Sequence, residues 1–253
     1  MRRREFLSAT AASTAGFLAG CFSLGPVPSD LIGGSGRLKA RAKEPTTLAG
    51  AGLQPLGLAT GRDGQLYVPQ GHVLTEKLPL LMLLHGAGGS NTNWFGSYGQ
   101  RAEDHRIVML APDSRGATWD LALGRYGDDV AFIDYALAAV FDRCSIDPTR
   151  IGVAGFSDGA SYSLSIGLTN GDLFSHVIAY SPGFFWNLEP HGKPPIFISH
   201  GTNDQILPID SASRRIVRML NEGAYPLKYV EFNGGHEVPP DISDSALNWF
   251  VGL

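Results

Sequence analysis

The chain is short of the residues that cross-link, bind metal or carry strong charge. Of its 253 residues only two are cysteine, Cys21 and Cys144. A disulfide framework of the kind that staples small secreted domains is thereby excluded. No histidine and cysteine cluster has zinc-site spacing, so no metal is expected. No glycine-rich loop matches a dinucleotide- or phosphate-binding pattern, so no cofactor is expected either. Charged residues make up 17% of the chain, and 20 Lys+Arg against 24 Asp+Glu leave a formal net charge of −4. That balance offers no footing for nucleic acid. No internal repeat is present. The one apolar stretch near the start, Ser8 to Gly20, is too short and too rich in Ala, Ser, Thr and Gly for a stable membrane span.

Glycine is plentiful, and its placement is informative. Ile151 and Val153 read as a buried strand that runs into Gly155-Phe-Ser157-Asp-Gly159 and then into a helix. This is the nucleophile-elbow pattern. Side chains two before and two after the serine would collide with backbone in so sharp a turn, and glycine has none. The turn holds the Ser157 hydroxyl at the carboxyl end of the sheet. The amides that follow, at a helix start, can bind a developing oxyanion. The bland alternative is a glycine-rich strand-to-helix turn without chemistry.

A serine hydroxyl is too weakly acidic to attack an ester alone and needs a base with an orienting group. The strand Pro195–His200 ends in Gly201-Thr-Asn-Asp204, and the strand Leu227–Phe232 ends in Asn233-Gly-Gly-His236. Both residues sit in loops past strand ends, where a parallel sheet gathers its loops on one edge. The order Ser157, Asp204, His236 distinguishes the chain from the two other well-known triad orders. Asp210, before Ser211-Ala-Ser-Arg-Arg, reads as a helix cap, and Asp113 as a loop organiser. His85 and His200, each before a glycine, read as structural groups beneath the site. His72, His105, His176 and His191 read as solvated.

On Leu83-Leu-His85-Gly-Ala-Gly-Gly89, Gly155-Phe-Ser157-Asp-Gly159, His200-Gly-Thr-Asn-Asp204 and Gly234-Gly-His236, the chain resembles the α/β-hydrolase superfamily from about Leu66 onward. Within it, the chain is similar to phospholipase/carboxylesterase and polyhydroxybutyrate-depolymerase-like esterases. The resemblance implies that the Ala87 and Asp158 amides form the oxyanion hole. Such esterases often carry Gln, Asn or Met where Asp158 stands. A carboxylate near an oxyanion is unfavourable unless it turns away or caps the helix.

The N-terminus reads as an address. Met1-Arg-Arg-Arg-Glu-Phe-Leu7 matches a twin-arginine export signal, and Leu18-Ala-Gly-Cys21 resembles a bacterial lipobox. The reading is a signal peptide over 1–20, a lipidated Cys21, a flexible tether over 21–45 and one α/β-hydrolase domain over 46–253. Arg37, Lys39, Arg41 and Lys43 read as solvated tether residues. Localisation would be exported, periplasmic or cell-surface, with the membrane reached through the lipid. Cys144 then has no partner and reads as a buried, inert thiol. An ordinary signal peptide and a Cys21–Cys144 disulfide are the alternatives.

From Thr46 the pattern predicts a hairpin (53–60 with 65–69), a nearly continuous apolar strand (78–85) and a helix (91–105). A strand (107–112) and an amphipathic helix (128–144) follow, then the elbow. Strands from His176, Pro195 and Leu227, a helix over 212–220 and a last helix from about Ser243 complete it. This is a doubly wound, mostly parallel sheet with an antiparallel N-terminal edge. Between Ser181 and Pro195 there is no room for a large cap domain, so the site reads as open. Trp119, Phe184, Phe185 and Trp186 lie in loops at the strand ends and read as substrate-binding residues, although aromatics are normally core. The function implied is a serine esterase acting on short acyl esters of small or oligomeric substrates. The alternatives are a thioesterase, an acyltransferase, a polyester or feruloyl ester hydrolase, and an inactive envelope binding lipoprotein.

Overall fold

Strands buried on both faces divide their side chains between two cores, because successive residues point to opposite sides. In β3 (Leu78–Leu84), Leu80, Met82 and Leu84 enter one cluster, and Leu81 and Leu83 enter the other. In β4 (Val108–Pro112), Val108 and Leu110 go one way and Met109 and Ala111 the other. The computed structural model describes residues 34–186 and 189–253. The stretch read as a signal peptide, Cys21 and the first part of the stretch read as a tether lie outside the described residues.

The chain enters through β1 (Gly52–Pro55) and β2 (Gly64–Val68), an antiparallel hairpin. After β3, helix α1 (Thr92–Asp104) leads to β4, and α2 (Asp128–Phe141) leads to β5 (Ile146–Phe156). Helix α3 (Asp158–Thr169) follows the elbow. Then come β6 (His176–Tyr180), β7 (Ile196–Gly201), α4 (Ser213–Glu222), β8 (Leu227–Phe232) and α5 (Pro240–Val251). The sheet order is β1-β2-β4-β3-β5-β6-β7-β8, parallel from β4 to β8 and antiparallel at β1, β2 and β4. Helices α1 and α5 cover one face through Trp94, Tyr98, Leu247 and Phe250. Helices α2, α3 and α4 cover the other through Leu137, Phe141, Leu164 and Ile216. The chain leaves β3 toward β4 and returns across it to β5. The loops after β3 and β5 therefore flank the topological switch point, where open α/β sheets bind ligands.

Helix α5 starts three residues earlier than the pattern predicts, at Pro240. Proline is well placed in a first turn because its missing N–H would have no partner there. A 3-10 turn at Asp120–Leu123, unforeseen in the sequence, shapes the loop before α2.

The reading of a tether up to residue 45 does not hold for its last part. Residues 34–45 lie against α2 and the end of α3. Leu38 is 2% exposed, and its amide donates to Asn170 Oδ1 at 2.8 Å. The Lys39 and Ala40 amides both donate to Asp134 Oδ1, at 2.6 and 2.8 Å. Arg37 and Arg41 converge on Asp172, and Lys43 pairs with Asp142. Exposed ion pairs contribute little, so the buried leucine and the backbone bonds carry the attachment. The partners stand about a hundred residues on, where composition cannot reveal them. Cys144 is buried and forms no disulfide among the described residues, and burial pushes its thiol up to about 12.

Candidate active site

The elbow requires glycine at two positions. A Cβ on Gly155 would sit 2.2 Å from the Gly159 carbonyl oxygen, and one on Gly159 would sit 2.2 Å from the Leu84 carbonyl oxygen. Between them Ser157 adopts φ 57°, ψ −116°, a conformation that costs a non-glycine residue about 1–3 kcal/mol. The Ser157 amide bonds the Tyr180 carbonyl at 2.9 Å, which ties the turn to β6.

Ser157, His236 and Asp204 are brought together. Ser157 Oγ lies 2.8 Å from His236 Nε2, and His236 Nδ1 lies 2.6 Å from Asp204 Oδ2. The His236 ring rests on Phe156 with centroids 4.7 Å apart. Asp204 is fully enclosed in its side chain. Burial alone would raise its pKa. The Leu207 and Ile206 amides, both 2.9 Å from Oδ1, and the His236 contact outweigh burial and hold the carboxyl below its usual range. His200 also faces Asp204 Oδ2, at 3.1 Å, while its Nδ1 meets Ser213 Oγ at 2.6 Å. Burial lowers the His200 pKa, against the Leu207 carbonyl and Asp204, which raise it. The contacts of His200 hold it beneath the acid, with Nε2 2.8 Å from the Leu207 carbonyl. Asp210 is exposed and pairs with Arg214 at 2.8 Å, away from the histidine. Asp113 organises the next loop by accepting from the Asn91 amide and side chain at 2.6 and 2.8 Å. His72 is buried rather than solvated; the Ser145 amide donates to it at 3.3 Å.

The Asp158 amide is the first of α3 and has no partner within the helix. The Ala87 amide has no hydrogen bond among the described residues, and Ala87 lines the cavity beside the nucleophile. The Asp158 carboxylate turns away from Ser157. It accepts from the Thr118 hydroxyl and from the Trp119 amide at 3.0 Å. Burial raises its pKa. Its side chain is thus a brace for the 113–126 loop. That loop in turn reaches the loop after β3, since the Gly88 amide bonds the Ala117 carbonyl at 2.7 Å.

The four aromatics read as substrate contacts are placed otherwise. Trp119 is fully buried, its indole N–H on the His85 carbonyl at 2.8 Å and its ring 5.1 Å from Tyr162. Phe185 is 6% exposed and belongs to the core. Phe184 and Trp186 are half-buried against the same core. The Phe184 amide rests on Ser161 Oγ at 3.3 Å and the Trp186 amide on Ser165 Oγ at 2.9 Å. The hydroxyls of α3 stitch that loop down and make its aromatics a wall.

The cavity at the site lies on the other flank. It has a volume of about 360 Å³ and is lined by Gly86, Ala87, Phe156, Trp94, Tyr98 and Val238, among others. Trp94 and Tyr98 were missed because they fall inside a predicted helix. Their i, i+4 spacing, one turn beyond the loop after β3, is the signal that places them beside the nucleophile.

A serine at a strained elbow, hydrogen-bonded to a histidine and through it to a buried aspartate, on this sheet topology, defines a serine hydrolase. No model of a known protein family matches the chain. The chain is 27% identical over 232 residues to a probable feruloyl esterase C of Aspergillus terreus, covering 76% of this chain and 84% of that protein. It is 26% identical over 231 residues to a feruloyl esterase C of Emericella nidulans, with the same coverage. Among solved structures it is similar to the fluorophosphonate-binding serine hydrolase F of Staphylococcus aureus. The TM-score is 0.64 and the identity 18%, over 80% of this chain and 99% of that chain. The fold is the α/β-hydrolase fold, and the protein is an enzyme that hydrolyses ester bonds.

Proposed function

We propose that the protein hydrolyses carboxylic esters through an acyl-enzyme on Ser157. Ser157 Oγ attacks the carbonyl carbon as His236 Nε2 takes its proton. The Ala87 and Asp158 amides bind the oxyanion. His236 returns the proton to the departing alcohol oxygen, leaving the acyl group on Ser157. Water, deprotonated by His236, then releases the acid and restores the serine. Asp204 fixes the histidine tautomer and stabilises its cation. The observation that carries this is the unbroken chain of 2.8 and 2.6 Å contacts from Ser157 to Asp204. A fluorophosphonate probe is expected to label the wild type and not Ser157→Ala, and turnover to fall by several orders of magnitude. Labelling at another serine would overturn the assignment.

The acyl group enters the cavity between α1 and α5 in this reading. Its volume is at the small end for ligand pockets, which suits a short or single-ring acyl group. Walls of Trp94, Tyr98 and Phe156 favour a flat aromatic acid, in keeping with the feruloyl esterase names of the relatives. Comparing kcat/KM for methyl esters of hydroxycinnamic acids with that for acetyl and butyryl esters tests this. A steady rise with long linear chains would oppose it.

Export and anchoring belong to the same proposal. The twin-arginine motif and Cys21 support a lipoprotein on the far side of the cytoplasmic membrane, reaching small or polymer-linked esters from there. No helix among the described residues is long and apolar enough to cross a membrane. Mass spectrometry of the mature N-terminus checks the lipid, and an unmodified terminus beyond Cys21 would refute it.

A further inference from the structure

The antiparallel hairpin at the sheet edge sends a side chain into the loop that follows β3. Arg62 lies in the turn between β1 and β2, and all its side-chain hydrogen bonds cross to other segments. Its Nε donates to the Ser114 carbonyl. Its Nη2 donates to the Gly89 carbonyl at 3.1 Å and to Ser114 Oγ at 3.0 Å, and lies 3.2 Å from His85 Nε2. The Ser114 amide donates to the same His85 nitrogen at 3.1 Å.

An imidazole nitrogen that accepts a backbone N–H, as Nε2 does from Ser114, carries no proton, and Arg62 Nη2, a donor only, faces the same lone pair. The ring proton therefore stands on Nδ1, which donates to the Gly86 carbonyl at 2.8 Å. The Gly89 amide holds the same carbonyl at 3.0 Å. Gly86 C=O and Ala87 N–H belong to one planar trans peptide, so they point in opposite directions. A carbonyl fixed toward His85 aims the Ala87 N–H the other way. Gly86 abuts the nucleophile: a Cβ built on it would stand 3.4 Å from Ser157 Cβ.

We propose that Arg62 is a positioning residue for hydrolysis, pinning His85 in its Nδ1–H form so that the Gly86–Ala87 peptide presents its N–H to the oxyanion. The inference rests on the proposed acyl-enzyme at Ser157, with Ala87 as an oxyanion donor. Burial of His85, 1% exposed, also disfavours its cation, and the Arg62 charge acts in the same direction. The hairpin does not need Arg62 for its own anchorage. Asp63 already ties the turn by accepting from the Gly57, Leu58 and Ala59 amides at 2.7, 3.0 and 3.1 Å, and its carbonyl takes the Asp113 amide at 3.2 Å.

The test uses Arg62→Met and, as the milder change, Arg62→Lys, whose single ammonium cannot span the same acceptors. Sites are titrated with fluorophosphonate, and kcat is expressed per titrated site. The expected result is a fall of about tenfold to a hundredfold in kcat, the scale of a misaimed catalytic group, with KM nearly unchanged. Affinity for a boronic acid that forms a tetrahedral adduct on Ser157 should fall in parallel. A residue that only stiffens the fold would reduce the titrated fraction and leave kcat per site intact. Wild-type kcat per site in both variants overturns the inference. Turnover that survives Ser157→Ala overturns the underlying reading instead, so the two failures are distinguishable.

Discussion

The two flanks of the nucleophile use aromatic residues in opposite ways. On the 113–126 side, Trp119, Tyr126 and Tyr162 are fully enclosed, and the Trp119 and Tyr126 rings pack against Tyr162 with centroids 5.1 and 6.0 Å apart. On the α1 and α5 side, Trp94, Tyr98 and Phe156 border a cavity of about 360 Å³. Both groups are near the same serine. The difference lies in what surrounds the loops. The 113–126 loop is held by carboxylates: Asp158 on Thr118 and Trp119, and Asp129 on the Arg115 and Asp120 amides. An indole whose N–H finds a carbonyl inside the protein can be buried whole. The opposite flank is tied through its helices rather than along a loop, by Arg101 on Asp244 and by the Tyr98 hydroxyl on that of Tyr180 at 2.9 Å, and keeps its volume open. A loop beside an active site is therefore a brace or a binding wall according to where its polar groups are satisfied.

The sharpest break in that comparison is to remove one aromatic from each flank. Trp119→Ala should destabilise the protein by about 3–5 kcal/mol, since it empties a fully packed position and frees the His85 carbonyl. Trp94→Phe should leave the melting temperature nearly unchanged and alter the ratio of kcat/KM between aromatic and linear acyl esters. Thermal unfolding and an ester panel measure both. If Trp119→Ala melts like the wild type and changes only selectivity, the roles of the flanks are reversed.

A second substitution asks whether the brace depends on geometry or on charge. Asp158→Ala removes the acceptor of both Thr118 and Trp119 and should cost about 1–3 kcal/mol, with kcat reduced as the loop loosens. Asp158→Asn keeps an oxygen where both donors converge. Burial already disfavours the Asp158 anion, so the neutral isostere should stay close to wild type. Equal losses in the two variants would show that the charge itself matters.

On the open flank, Val238→Phe should fill part of the cavity. Each methylene excluded from a pocket is worth about 0.8 kcal/mol, roughly fourfold in specificity. The ratio of kcat/KM for butyrate over acetate should drop by about tenfold while the acetate rate holds. An unchanged ratio would place the acyl group elsewhere.

Much of this was legible in the sequence because backbone requirements leave clear marks. Gly155 and Gly159 mark the elbow through a steric demand that no other residue meets. The strand β8 runs from Leu227 to Phe232 as read, because an apolar alternation bounded by Pro226 and Asn233 admits little else. That Ser157, Asp204 and His236 would lie together was legible because a parallel sheet sends its loops to one edge. What escaped depends on contacts between distant segments. Nothing local tells that Leu38 packs below α3, that Trp119 bonds the His85 carbonyl, or that Arg62 crosses to His85. The departure noted at Asp158 was legible as an oddity, and its resolution needed the position of Thr118.

The smallest effect concerns acidity within the brace. Asp129 is 2% exposed, and burial pushes its carboxyl up to about 6, although the Arg115 and Asp120 amides oppose the rise. Asp120, whose Oδ2 accepts from the Asp129 amide at 3.0 Å, is raised by burial as well. An unfolded aspartate titrates near 3.9. Between roughly 4 and 6 the folded protein therefore binds more protons than the unfolded chain, and stability falls as pH rises through that window. The contribution is complete below the unfolded value and gone above the folded one. Asp129→Asn removes this titration while imposing a constant cost for the amide it cannot accept. The stability of wild type relative to Asp129→Asn should therefore decline by about 1 kcal/mol between pH 5 and 7, as read by denaturant unfolding. A difference that stays flat or grows with pH would mean that Asp129 is ionised throughout and holds the 113–126 loop as an anion. The braced flank would then owe its rigidity to charge, and the contrast with the open flank would be electrostatic rather than one of packing.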